Sequence, residues 1–160
     1  MKVSVKDLVE ELFDTFSNMA SAKNILFINH IADDLELFVD ENTTRTIMRN
    51  VVNNAIKFTP ENGEVSVAAY EEDTFIAVRV SDTGIGMSED KLQALFNFQH
   101  KSAYGTAGEK GLGLGLQLVY EFVEMNRGLI SVDSTIDEGT TFTIKLPRHT
   151  PTNQASLQAS

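Results

Sequence analysis

Asn50, Asn54 and Lys57 stand at i, i+4 and i+7, which on a helix puts them within about 60° of one another. Ile47, Met48, Val51, Val52, Ala55 and Ile56 fill the rest of the arc, so the helix that carries the stripe is mostly buried. One reading of two amides and an ammonium on such a stripe is a solvent-facing edge. The other is a phosphate and metal site, since unpaired polar groups are costly to bury. An asparagine carbonyl oxygen is a hard ligand suited to magnesium, which keeps several waters and takes further ligands from phosphates. The lysine adds a point charge for the same phosphates.

Two glycine clusters offer complementary chemistry. Asp82-Thr83-Gly84-Ile85-Gly86-Met87 follows the strand-like run Val78 to Ser81. Its carboxylate is either a turn residue or an acceptor for an adenine amino group, with the glycines letting backbone approach the base. Asp-Thr-Gly also opens the active-site motif of aspartic proteases. Those enzymes need two carboxylates sharing a proton, and here a second copy can come only from a symmetric dimer. Gly111-Leu112-Gly113-Leu114-Gly115-Leu116 is the other cluster. Alone it fits a dinucleotide fingerprint or a flexible loop, but a long loop precedes it where a βαβ unit would need a strand. A Walker lysine is absent. What remains is a glycine-lined turn entering a helix, where free amides and the dipole favour phosphate.

The elements that must position these groups follow from periodicity. Val5, Leu8, Val9, Leu12, Phe13, Phe16 and Met19 recur at helical spacing and predict one amphipathic helix over about residues 4–22. Ile25–Ile28 and Leu35–Val39 read as short strands. Asp40 stands as the N-cap of the helix that runs to Lys57, and Thr59-Pro60-Glu61-Asn62-Gly63 stops it and turns the chain. Residues 64–70 and 75–81 form an expected antiparallel pair. A short helix is expected from Ser88 to about Leu95, then an aperiodic loop over 97–112, of a length that is usually functional. A helix from Gly113 to Asn126 and strands over 129–134 and 140–146 complete the pattern. The domain is expected to span residues 1–147, with 148–160 a frayed tail rich in Thr, Gln, Ser and Ala.

Arg49 to Pro60, containing Asn50, Asn54, Lys57 and Phe58, resembles the N-box of bacterial sensor histidine kinases. With it, Asp82 to Met87 resembles the G1 box and Gly111 to Leu116 the G2 box. Leu95-Phe96-Asn97-Phe98 is similar to an F-box, residues 101–110 to the ATP lid, and Gly139-Thr140-Thr141-Phe142-Thr143 to the closing G3 element. The resemblance implies that Asn54 ligates magnesium and that Asn50, Lys57 and Lys101 meet phosphates. Phe58, Gly84, Ile85, Gly86, Met87 and Thr141 would lie at the nucleotide, Asp82 would read the adenine, and Gly111, Leu112, Gly113, Leu114, Gly115 and Leu116 would serve the triphosphate. Two departures stand out: the F-box lacks its proline and is one residue short, and Leu112 replaces a common threonine. The implied fold is a two-layer α/β sandwich of the Bergerat type, a mixed sheet of about five strands with three helices on one face. The implied cofactors are ATP and Mg2+.

Relatives of this fold that hydrolyse ATP or phosphorylate serine carry a glutamate at the first N-box position. Here it is Asn50, an amide that cannot take a proton at neutral pH. Transfer to a histidine, already a nucleophile, is therefore expected over hydrolysis. His30, His100 and His149 are the only histidines, and none sits in an H-box pattern, so the chain is expected to bind Mg-ATP without labelling itself. Its implied partners are the dimerisation and histidine phosphotransfer domain of a parent kinase and a response regulator. The alternative is a module of the same fold that only senses nucleotide.

Composition agrees. At 160 residues with 42% hydrophobic and 22% charged residues the chain fits one globular domain. A net charge of -10 argues against a nucleic-acid partner, and the lack of cysteine excludes disulfides, thiolate metal sites and cysteine nucleophiles. With no apolar run near the roughly 20 residues of a membrane helix and no signal-peptide order, a cytoplasmic monomer is expected, the parent kinase being free to anchor elsewhere.

Overall fold

The computed structural model describes residues 2–31, 35–92 and 113–148. A short strand β1 (Lys2–Ser4) leads into α1 (Val5–Thr15), whose N-cap Ser4 accepts from the Asp7 amide at 3.2 Å. The single helix expected to run on to residue 22 instead breaks at Phe16, which leaves helical geometry, and restarts as α2 (Ser17–Ala22). The hydroxyls of Thr15 and Ser17 donate to the carbonyls of Glu11 and Asp14, each at 2.9 Å. Such local bonds let Ser and Thr compete with the helix for its own backbone. Phe16, at the break, and Ala20, beyond it, are both buried in the core.

After β2 (Leu26–Asn29) and β3 (Glu36–Phe38) comes α3 (Glu41–Lys57). Asp40 caps it by accepting from the Thr43 amide at 2.9 Å, with Glu41 in the first turn and Lys57 in the last, both matched to the helix dipole. Ile47, Met48, Val51, Val52, Ala55 and Ile56 are all buried. Then follow β4 (Glu64–Glu72), β5 (Phe75–Asp82), four helical residues 89–92, α4 (Gly113–Met125), β6 (Leu129–Thr135) and β7 (Gly139–Pro147).

Five strands form one mixed sheet in the order β2-β4-β5-β7-β6, with β2 parallel to β4 and the remaining pairs antiparallel. The expected sandwich with helices on one face is found. The other strand read from sequence, over Leu35–Val39, pairs instead with β1 in a separate two-stranded ribbon. Pleating sorts the sheet residues into two sets. Val65, Val67, Val78, Val80, Phe142 and Ile144 are buried against the helices, while Ser66, Ser81, Arg79, Thr141 and Thr143 share the opposite face. Asp82 and Thr140 are register partners and belong to the helix side.

Asn126, just past α4, ties the two long helices together. Its Oδ1 accepts from the Asp40 amide at 3.0 Å, and its Nδ2 donates to Thr43 Oγ1 and Phe122 O, both at 2.9 Å. No helix among the described residues is long and apolar enough to cross a membrane. The residues read as lid, the F-box phenylalanines and the tail beyond Arg148 lie outside the described segments, while Arg148, the first residue of the expected tail, donates its amide to Thr74 O at 2.9 Å.

Candidate nucleotide site

The end of α3 and the loop after β5 meet over an open cleft. Asn54, Ala55 and Phe58 line it from the helix, Asp82, Ile85, Gly86 and Met87 from the loop, and Lys91, Thr140 and Phe142 complete the wall. Asn54 is the informative residue on the helix side. It is only 6% exposed, yet its Nδ2 has no hydrogen-bond partner among the described residues. An orphaned buried amide costs of the order of 1–3 kcal/mol, a debt that a ligand bearing oxygens can relieve. Asn50, one turn earlier and half-buried, donates its Nδ2 back to Thr46 O at 2.8 Å and keeps its side-chain oxygen for other use. Lys57 is exposed at the end of the stripe and is not part of the cleft wall.

On the loop side almost every polar group is committed. Asp82 Oδ1 accepts from the amides of Gly84 at 2.8 Å and Thr140 at 3.2 Å. Burial pushes the carboxyl above its ordinary value, and those two bonds oppose the rise. One oxygen is thus held by the fold, leaving the other to accept from a ligand. Ile85 N–H donates to Phe58 O at 3.1 Å, Asp137 N–H to Ile85 O at 2.8 Å, and Met87 N–H to Ser134 Oγ at 2.8 Å. The Ser134 hydroxyl in turn lies 2.7 Å from Thr140 Oγ1. Two glycines make this closeness possible. A Cβ on Gly84 would overlap the Phe58 carbonyl, and Gly86 has φ +71 with the Thr135 carbonyl where its Cβ would be.

Of the residues marked on sequence, the structure brings Asn54, Phe58, Asp82, Ile85, Gly86 and Met87 to one cleft, with Gly84 supplying backbone. Gly113, Leu114 and Gly115 fall in the first turn of α4, and Leu116 is buried in the core at 1% exposure. Lys101, Gly111 and Leu112 lie outside the described residues. Thr141 is on the open face of the sheet, its hydroxyl 3.0 Å from that of Ser81, and it is Thr140 that reaches the cleft. Phe142 and Ile144, both inward at period two, carry the parity that would have chosen Thr140. Lys91 and Phe142 also went unmarked.

The donor set bears on a metal. Among the described residues no three of His, Cys, Asp and Glu gather to hold an ion. A lone amide oxygen at Asn54 fits only a hard cation that draws its other ligands from water and phosphate, which is the habit of magnesium.

A helix-backed mixed sheet with a solvent-open cleft, one half-free carboxylate at its floor and one orphaned amide on its wall defines an α/β nucleotide-binding domain. Over residues 39–150 the chain belongs to the family of histidine kinase-, DNA gyrase B- and HSP90-like ATPases. It is 35% identical over 164 aligned positions to the autoinducer 2 sensor kinase/phosphatase LuxQ of Vibrio vulnificus, covering 92% of this chain and 19% of that protein. Full-length ShkA in complex with AMPPNP is similar in structure, with a TM-score of 0.80 and 27% identity over 94% of this chain and 31% of that one. Histidine kinase ThkA in complex with the response regulator protein TrrA shares the fold, with a TM-score of 0.75 at 23% identity over 93% of this chain and 42% of that one. The chain therefore spans about a fifth of LuxQ.

Proposed function

We propose that this chain is the Mg-ATP-binding catalytic domain of a sensor histidine kinase, positioning ATP for transfer of its γ-phosphoryl group to a histidine on a separate acceptor domain. The observation that carries the reading is the pairing, across one cleft, of the orphaned Asn54 amide with an Asp82 carboxylate that has one oxygen uncommitted. Family membership supports ATP as the ligand, and the kinase names of the relatives support the acceptor.

In this reading Asp82 accepts from the adenine amino group, and Asn54 contributes its oxygen to the metal and its Nδ2 to a phosphate. Magnesium, when bound, neutralises phosphate charge. Asn50 orients without abstracting a proton, so the site suits transfer to a ready nucleophile. Lys57, Lys101 and the backbone amides of residues 111–115 supply further positive charge and dipoles to the triphosphate. The partners are the acceptor domain and a response regulator, the latter by analogy with the ThkA–TrrA assembly. The site of action is the cytoplasm.

Calorimetric titration with ADP, with and without magnesium, tests the site. Saturable binding strengthened by magnesium is expected, and no heat at millimolar ADP would overturn the reading. With an acceptor domain added in trans and labelled ATP, phosphohistidine is expected on the acceptor. Binding without transfer would reduce the chain to a nucleotide sensor.

A further inference from the structure

α3 ends where the cleft begins, and each carbonyl from Asn54 to Phe58 has a donor. The Phe58 amide donates to Asn54 O at 3.1 Å, the Thr59 hydroxyl to Ala55 O at 2.6 Å, and the Thr59 amide to Ile56 O at 3.3 Å. Phe58 O takes the Ile85 amide, which belongs to the cleft's own loop. The remaining donor comes from far off in sequence. Lys23, in the turn between α2 and β2, donates its Nζ to Ile56 O at 2.9 Å and to Lys57 O at 3.1 Å, across 33 and 34 residues. Among the described residues the Lys57 carbonyl has no other donor, and no carboxylate pairs with the Lys23 ammonium. Its charge is given to the negative end of the helix dipole.

Around that contact the two turns are laced together. Asn62 N–H donates to Lys23 O at 2.9 Å, Asn24 Nδ2 to Asn62 Oδ1 at 2.6 Å, and Leu26 N–H to Gly63 O at 3.0 Å. The α3–β4 turn is thus held from one side by residues 23–26 and from the other by the loop after Asp82. Lys23 precedes the family-matched span of residues 39–150.

We infer that Lys23 is a positioning residue of the nucleotide site: its ammonium closes the last turn of α3 and so fixes Asn54 and Phe58 against the Asp82 loop. The inference rests on the Mg-ATP reading. A helix end without its cap frays by a turn, and Asn54 lies within one turn of the two carbonyls that Lys23 holds. Asp82, braced by Gly84 and Thr140, does not depend on it. Loss of Lys23 therefore acts on the metal-and-phosphate end of the cleft more than on the base end.

The test is titration of the 160-residue chain with ADP, with and without magnesium, for the wild type, Lys23→Met and Lys23→Arg. Lys23→Met keeps the aliphatic stem and removes the donors. It is expected to weaken Mg-ADP binding about fivefold or more, since small misplacements carry large penalties. Metal-free ADP affinity should stay within about twofold, and Lys23→Arg should restore the magnesium effect. The Asn54 side-chain amide signals in nuclear magnetic resonance should move in the first variant and return in the second. If Lys23→Met does not fold, Lys23→Gln, which keeps a shorter donor, is judged by the same magnesium effect. A folded Lys23→Met with wild-type Mg-ADP affinity overturns the inference. So does an equal loss of affinity with and without metal that follows the unfolded fraction in a thermal melt, because that is a brace for the fold alone. A wild-type chain that ignores Mg-ADP would remove the nucleotide reading itself, and this inference with it.

Discussion

The two walls of the cleft are built on opposite terms. On the loop side, Asp82, Gly84, Ile85 and Met87 spend their polar groups on Thr140, Phe58, Asp137 and Ser134. On the helix side, among the described residues, the buried Asn54 donor has no partner, Asn50 holds only its own helix, and Lys57 is exposed. A saturated network keeps its shape whether or not a ligand is present, whereas an unsatisfied one gains its partners on binding. The loop wall is thus preformed, and the helix wall is left for a ligand to complete.

The sharpest way to break this contrast is at Gly86. Gly86→Val places a β-branched side chain at φ +71 against the Thr135 carbonyl, and about 3 kcal/mol or more of stability should be lost in urea denaturation through strain and clash. A loss below about 1 kcal/mol would mean that the loop wall gives way easily. Next, Asp82→Asn should weaken ADP binding by about 1.5–3 kcal/mol by removing a charged acceptor, and should blunt the preference for ATP over GTP in competition titrations. Asn54→Ala should lower Mg-ADP affinity by a similar factor while leaving the ligand-free melting temperature unchanged or raised, because it deletes an unpartnered buried amide. A marked fall in that temperature would show that Asn54 is satisfied without ligand.

Acidity gives a subtler test. Burial raises the Asp82 pKa in the folded chain above its ordinary 3.8, so the folded state holds the proton more tightly. That group's contribution to stability is full below the ordinary value and is lost as pH rises through the folded value. Relative to Asp82→Asn, the wild type should therefore gain stability as pH falls through this window, while ADP binding, which needs the carboxylate, weakens. Chemical denaturation and titration from neutral pH down to the ordinary carboxyl value of 3.8 should show the two trends running in opposite directions. The smallest effect is expected from Thr141→Val, which loses the bond to Ser81 at a cost of about 1 kcal/mol and leaves ADP affinity untouched. A changed affinity would put Thr141 back at the nucleotide.

Most of the frame was legible because it rests on local signals. The Asp40 cap, the buried arc of α3 and the alternation of β4, β5 and β7 each announce themselves within a few residues. What stayed hidden depends on partners distant in sequence. Phe16 fits the apolar period of one helix, and the break there, beside the Thr15 and Ser17 hydroxyl bonds, leaves no mark on that period. The strand at Leu37 was visible but not its partner at Val3. Adjacent threonines at 140 and 141 leave the facing ambiguous until Phe142 fixes the parity. Lys23, a lysine in a polar turn, looks solvated until its bonds to residues 56 and 57 are seen.

Asn126 makes a pin joint of the helix pair. With the tail of α4 fastened to the head of α3, α4 is a lever of 13 residues, about 20 Å at 1.5 Å per residue. A tilt of about 5° would barely disturb the pinned end and would sweep the glycine-rich end through about 1.7 Å. Any travel between these helices would be graded along their length, with the glycines of the first turn of α4 at the far end from the pin.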